Sequence, residues 1–123
     1  MIHLDTNFLI RALVPGTPQD ESLQKWLGSG EVVGISTVSW AEFLCGPLLE
    51  HQAELAAAVT ERLPVVEEDA AVAAKLFNAT GRRPRSLADC LIAAAALRYA
   101  APLATTNLSD FRRFEKSGLR LAL

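Results

Sequence analysis

Four acidic residues stand where a small α/β chain can build a reactive site: Asp5, Glu42, Asp89 and Asp110. Asp5 directly follows the short apolar run Ile2-His3-Leu4. Glu42 lies one to two turns into a helix predicted after the β-branched run Val32-Val33-Gly34-Ile35. Asp89 lies one turn into a strongly apolar helix, and Asp110 opens the helix after Leu103-Ala104-Thr105, three residues beyond Asn107. If those runs are parallel strands, the segments leaving the carboxyl edge of the sheet bring these acids together. Converging carboxylates cannot all stay ionised without compensation. A hard divalent cation with oxygen ligands, Mg2+ or Mn2+, is the natural compensator. Such an ion can activate water and offset the charge that builds on a phosphodiester under attack.

Each acid also has a plainer reading. Ser39 and Glu42, Ser86 and Asp89, and Asn107 and Asp110 all have capping-box spacing. Asp5 can cap the helix that follows it. Asp89 argues most strongly against capping alone, because Leu87, Ala88, Cys90, Leu91, Ile92 and Ala93 surround it. A carboxylate in such company is rarely buried without a cation. Glu42, between Trp40-Ala41 and Phe43-Leu44, has a similar setting.

The elements that must position these acids alternate along the chain. Helices are predicted over Thr6–Leu13, Asp20–Leu27, from Ser36 or Ser39 through Leu44, and over Leu48–Arg62. The second half continues with a short strand Val65-Val66, a helix Glu68–Ala79 and the basic loop Arg82-Arg83-Pro84-Arg85. Next come a buried helix Ser86–Tyr99, a strand Leu103–Thr105, a helix Ser109–Ser117 and a terminal strand Leu119–Leu123. Strands alternating with helices predict one α/β domain, residues 1–123, with a mainly parallel sheet.

Composition narrows the function. The 123 residues are 50% hydrophobic and 21% charged, which excludes a disordered chain. A formal charge of -2 excludes a protein that merely coats polyanions. The charge is polarised: residues 1–62 carry three basic and eight acidic side chains, residues 63–123 nine and six. Cys45 and Cys90 read as buried free thiols in a reducing compartment. No apolar run approaches the roughly 20 residues that span a bilayer, and no signal peptide is evident, so a cytoplasmic protein is expected.

The chain resembles a PIN-domain ribonuclease of the VapC type, the toxin of bacterial toxin–antitoxin pairs. Four segments carry the resemblance: Leu4-Asp5-Thr6-Asn7, Ser39-x-x-Glu42, Asp89-Cys90-Leu91-Ile92-Ala93-Ala94, and Leu103 to Phe111. It implies a three-layer α/β/α fold and a Mg2+- or Mn2+-dependent endoribonuclease that cuts RNA phosphodiesters with a metal-activated water. It also implies a cognate antitoxin partner and a homodimer. Asp5, Glu42 and Asp89 resemble the three core catalytic and metal-binding acids. Asp110 or Asn107 stands in the fourth place. Thr105 resembles the hydroxyl that orients a ligand or water. Thr6 and Asn7 are candidates for phosphate contact or for capping.

Arg82, Arg83 and Arg85 suit phosphate contact, since a guanidinium makes bidentate bonds. The alternative is a solvated loop. Arg112, Arg113 and Lys116 either extend the basic rim or, the favoured reading, form an exposed helix face. Trp26 and Trp40 read as core or interface anchors rather than base-stacking platforms. Two other classes compete. A receiver-type signalling domain shares the size and alternation, but Lys25, Lys75 and Lys116 all lie on predicted helices. A catalytically inactive PIN-like interaction module is the other, and Asn107 in place of an acid favours it.

Overall fold

The structure, a computed structural model, describes residues 1–122. Its strands are β1 (Ile2–Leu4), β2 (Val33–Ser36), β3 (Glu61–Leu63) and β4 (Leu103–Ala104). Its helices are α1 (Thr6–Ala12), α2 (Pro18–Gly28), α3 (Thr37–Cys45), α4 (Glu50–Val59), α5 (Glu67–Ala79), α6 (Leu87–Arg98) and α7 (Leu108–Arg112). A 3-10 turn spans Glu115–Ser117. The strands form one sheet in the order β3-β2-β1-β4, and every pairing is parallel. Parallel neighbours require crossovers, and the helices supply them on both faces.

Each face has its own apolar core. Leu4, Phe8, Leu9, Leu23, Ile35 and Phe43 pack on one side, with Trp26 and Trp40 against them as anchors. Leu76, Ile92, Leu103, Phe111, Phe114 and Leu119 pack on the other. The central helix α6 buries Cys90 and the run Ile92 to Ala96. Its alanines let α6 lie close to its neighbours. The result is the expected three-layer α/β/α arrangement. At the sheet centre His3 pairs with Gly34. A Cβ at Gly34 would lie 2.7 Å from Leu63 Cδ1 and 3.3 Å from His3 Cδ2, so a side chain there would have to displace Leu63.

Several boundaries differ from the sequence expectation. The fourth helix runs Glu50–Val59, not Leu48–Arg62, and the strand after it is Glu61–Leu63, not Val65-Val66. Thr60 ends the helix: its hydroxyl donates to the Ala56 carbonyl (2.7 Å) while its backbone turns extended. Pro64 then disfavours helix at Leu63. Only Leu63 of β3 is buried, so this edge strand carries no apolar alternation to reveal it. The expected helix Ser109–Ser117 divides into α7 and the 3-10 turn. The terminal strand reduces to a parallel bridge between Leu121 and Leu103, and Leu123 lies outside the described residues. Cys45 is exposed rather than buried, because it lies at the end of α3 beside Gly46.

Among the described residues no helix is long and apolar enough to cross a membrane.

Candidate active site

The carboxyl edge of the sheet delivers the first acid directly. Asp5 continues the β1–β4 ladder, its backbone N–H donating to the Ala104 carbonyl (2.9 Å). It then caps α1, accepting the Thr6 backbone N–H on Oδ1 (2.8 Å). Its other oxygen, Oδ2, accepts the Thr105 hydroxyl (2.9 Å), which in turn accepts the Asn107 backbone N–H (2.9 Å). One Asp5 oxygen is therefore spent on the helix cap and the other is held by Thr105.

Glu42 reaches the same edge from α3. Ser36, at the end of β2, caps that helix by accepting the Ser39 backbone N–H (3.2 Å), so Ser39 is not the cap. Glu42 Oε1 instead accepts the Thr6 hydroxyl (2.8 Å), whose oxygen also lies 3.3 Å from the Ser39 carbonyl. Thr6 and Thr105 thus hold one carboxylate each. Glu42 itself is exposed, against the expectation of an apolar setting, because its flanking aromatics turn to the core on the opposite face of α3.

Asp89 stands in the first turn of α6 with its side chain 30% exposed. Ser86 does not cap that helix: its hydroxyl donates to the Arg83 carbonyl (2.8 Å). Asp110, half-buried in α7, completes the set, and Asn107 makes no side-chain cap for α7.

The carboxyls sense one another. Burial pushes Asp5 above the ordinary carboxylate range; the Thr105 and Thr6 bonds oppose that shift, and Glu42 and Asp110 add to it. Burial and the charge of Asp5 push Asp89 from 3.8 to about 6, with Asp110 and Glu42 adding and Arg113 opposing. All four predicted acids therefore share one electrostatic neighbourhood. As placed, no three of the described Asp, Glu, His or Cys side chains close around a common point. Mg2+ keeps several waters and takes one or two carboxylates, so an open set of hard oxygen donors with uncompensated charge fits it in chemistry.

Arg113 is the residue that sequence reasoning missed. Read as part of an exposed face, it is instead largely buried (14% exposed), with Nη2 3.7 Å from Asp89 Oδ2. Its Nε and Nη2 have no hydrogen-bond partner, and its guanidinium lies over Phe114, 4.7 Å from the ring centroid. The signal was its i, i+3 spacing from Asp110, which puts both on one helical face. Arg112 and Lys116 are exposed as expected. Asn7 is also exposed.

Arg82, Arg83 and Arg85 are exposed on the loop that leads into α6, a few residues before Asp89. Arg82 bonds Asn78 and packs over Phe77. Arg82 and Arg85 have φ of 54° and 65°, the left-handed region that non-glycine residues seldom adopt.

Known proteins carry the same architecture. The VapBC2 complex of Rickettsia felis, bound to a DNA fragment from its promoter, is similar at 21% identity and a TM-score of 0.78, over 99% of this chain and 98% of that one. VapBC-1 of nontypeable Haemophilus influenzae is similar at 23% identity and a TM-score of 0.77, over 99% and 97%. A toxin–antitoxin complex from Klebsiella pneumoniae is similar at 24% identity and a TM-score of 0.73, over 90% of each chain. No curated protein sequence matches. A family model described as the PIN domain matches residues 2–117. Matched over nearly its whole length, with its acids on the carboxyl edge of a parallel sheet, the chain belongs to the PIN-domain family.

Proposed function

We propose that the protein is a divalent-metal-dependent endoribonuclease, the toxin of a toxin–antitoxin pair. The observation that carries this reading is the electrostatic neighbourhood of Asp5, Glu42, Asp89 and Asp110, in which burial and mutual repulsion raise two carboxyls. PIN-family membership supports nuclease chemistry, and the likeness to VapBC and other toxin–antitoxin complexes supports an antitoxin partner. A cytoplasmic homodimer, held in check by its antitoxin, completes the reading.

The chain's own residues divide the work. Asp5, Glu42, Asp89 and Asp110 would hold Mg2+ or Mn2+. A bound divalent ion supplies Lewis acidity and a readily ionised water at neutral pH. Thr105 fixes the rotamer of Asp5, and Thr6 that of Glu42, so two carboxylates are oriented before any ligand arrives. Thr105 also orders the Asn107 backbone, which sets the entry of α7 and so the position of Asp110. Arg82, Arg83 and Arg85, exposed on the loop that leads into α6, would contact RNA phosphates, giving an acidic protein a local hold on a polyanion.

The test compares wild type, Asp5→Asn and Asp89→Asn on end-labelled RNA with Mg2+, with Mn2+ and with EDTA. Wild type is expected to cleave with either metal, and each variant to lose at least about 100-fold. Cleavage that persists in EDTA, or survives both substitutions, overturns the mechanism. Absence of cleavage on total cellular RNA, together with tight binding of a small partner protein, would make the chain an inactive interaction module instead.

A further inference from the structure

The chain makes two arginine–carboxylate pairs of opposite design. Arg98 binds Asp69 through two bonds, Nε to Oδ1 at 2.9 Å and Nη2 to Oδ2 at 3.2 Å, and Nη2 also donates to the Pro64 carbonyl (3.0 Å). Asp69 is fully buried and also accepts the Val66 backbone N–H. That pair is satisfied and structural.

Arg113 and Asp89 are built otherwise. Their approach of 3.7 Å is too long for a charge-assisted hydrogen bond, which closes to about 2.7–2.9 Å. Nε and Nη2 of Arg113 are buried and donate to nothing. Unmade bonds on a buried cation are expensive, so the guanidinium is held there by something other than its own hydrogen bonding. The surrounding charge supplies the cause. Arg113 makes the one salt bridge to any of the four acids among the described residues. Its guanidinium packs over the Phe114 ring, at the end of the helix that carries Asp110.

We propose that Arg113 is a resident counter-cation that competes with divalent metal for the acidic cluster and so sets the metal concentration the site requires. The proposal rests on the metal-dependent reading above. Arg113 is a positioning residue: it stabilises the acids while they lack metal, and its charge opposes the incoming ion. The loose, single-sided approach lets the two charges separate without breaking a hydrogen bond. A divalent ion held by the acids would be repelled by the Arg113 charge, and at short range that repulsion changes affinity by about tenfold even through water.

The experiment titrates Mn2+ into the full chain, free Mn2+ being followed by electron paramagnetic resonance. Wild type is compared with Arg113→Gln, Arg113→Met and Arg113→Lys, with thermal melts in EDTA alongside. The two neutral variants are expected to bind Mn2+ about tenfold more tightly than wild type and to melt lower in EDTA. Arg113→Lys, which restores the charge, is expected to stay within about twofold of wild-type affinity. The methionine keeps the apolar packing on Phe114, so a folding defect in the glutamine variant leaves the comparison standing. Affinity unchanged or weakened in the neutral variants overturns the role given to Arg113 and leaves the metal reading intact. Failure of all four proteins to bind Mn2+ overturns both together.

Discussion

Neutralising Asp89 should stabilise the metal-free protein while abolishing its activity. In the absence of metal, burial and the neighbouring acids move this carboxyl from 3.8 to about 6, net of the opposing attraction of Arg113. Each tenfold change in acidity is worth about 1.4 kcal/mol, which sets a ceiling near 3 kcal/mol on what the charge costs the fold at pH 7. The side chain is 30% exposed, so solvent screening leaves about 1–2 kcal/mol. For a chain of this length that corresponds to a rise of about 3–8 °C in Tm for Asp89→Asn. The direction with pH follows from linkage. An acid whose folded value lies above its unfolded one binds more protons when folded between 3.8 and about 6, so its penalty grows as pH rises through that window. The advantage of Asp89→Asn should be full at pH 7 and shrink to a small remainder by pH 4, where the folded carboxyl is protonated and the unfolded one about half so. The assay is differential scanning calorimetry of both proteins in EDTA at pH 4, 5, 6 and 7, repeated at pH 7 with Mg2+. Adding Mg2+ should raise the wild-type Tm and leave the variant nearly unmoved. A variant that melts with or below wild type in EDTA at pH 7, or one whose advantage is the same at pH 4, would refute the claim that crowded carboxylates destabilise this edge.

His3 gives the opposite slope. Burial, with the charges of Arg98 and the N-terminus, lowers it from 6.5 to about 4, so stability is full above 6.5 and falls as pH drops toward 4, by about 2 kcal/mol between pH 7 and 5; urea titrations of Asp89→Asn with and without His3→Phe should show that slope only where His3 remains. Thr105→Val removes the bond to Asp5 and orphans the Asn107 N–H, which should cost about 1–3 kcal/mol; calorimetry of Thr105→Ser, expected to match wild type, is the control. Gly34→Ala should cost about 1–3 kcal/mol by overpacking Leu63, and a double-mutant cycle with Leu63→Ala should show the two losses to be less than additive.

Fold and site were legible to different depths, for physical reasons that differ by residue. β1, β2 and α6 could be read because both faces of a central element are covered, which leaves nearly continuous apolar runs such as Cys90 to Leu97. β3 could not, because an edge strand buries one side chain in three and its Glu61-Arg62 pair looks like the end of a helix. The polar atom that ended α4 was the Thr60 hydroxyl, and a threonine within an alanine-rich run gives no warning that it will turn back on Ala56. Trp26 and Trp40 were readable as anchors because only a core or an interface has room for so much apolar surface.

At the site, residue type was more informative than sequence neighbourhood. Asp5 and Asp110 could be singled out by their places after predicted strands, and Glu42 and Asp89 also by their apolar sequence neighbours. In the fold, Glu42 and Asp110 add to the upward shifts of both Asp5 and Asp89. Their local settings were harder to read. Glu42 turned out exposed, and Asp5 spends one oxygen on a helix cap. The compensating charge was the hardest to see, since a basic residue in Phe111-Arg112-Arg113-Phe114 resembles its exposed neighbour until the helix phase is known. Phe111 and Phe114 both turn to the core, and of the two arginines between them only Arg113 shares the face of Asp110. Of the four acids, recruited from four separate elements, only Asp89 is paired with a cation among the described residues, and that cation, Arg113, sits at the end of the helix that carries Asp110. The net charge of -2 conceals that arrangement, because among the described residues no other arginine or lysine makes a salt bridge to any of the four acids. A site of this kind is under-compensated by construction, which is the electrostatic condition under which a divalent cation gains most from binding.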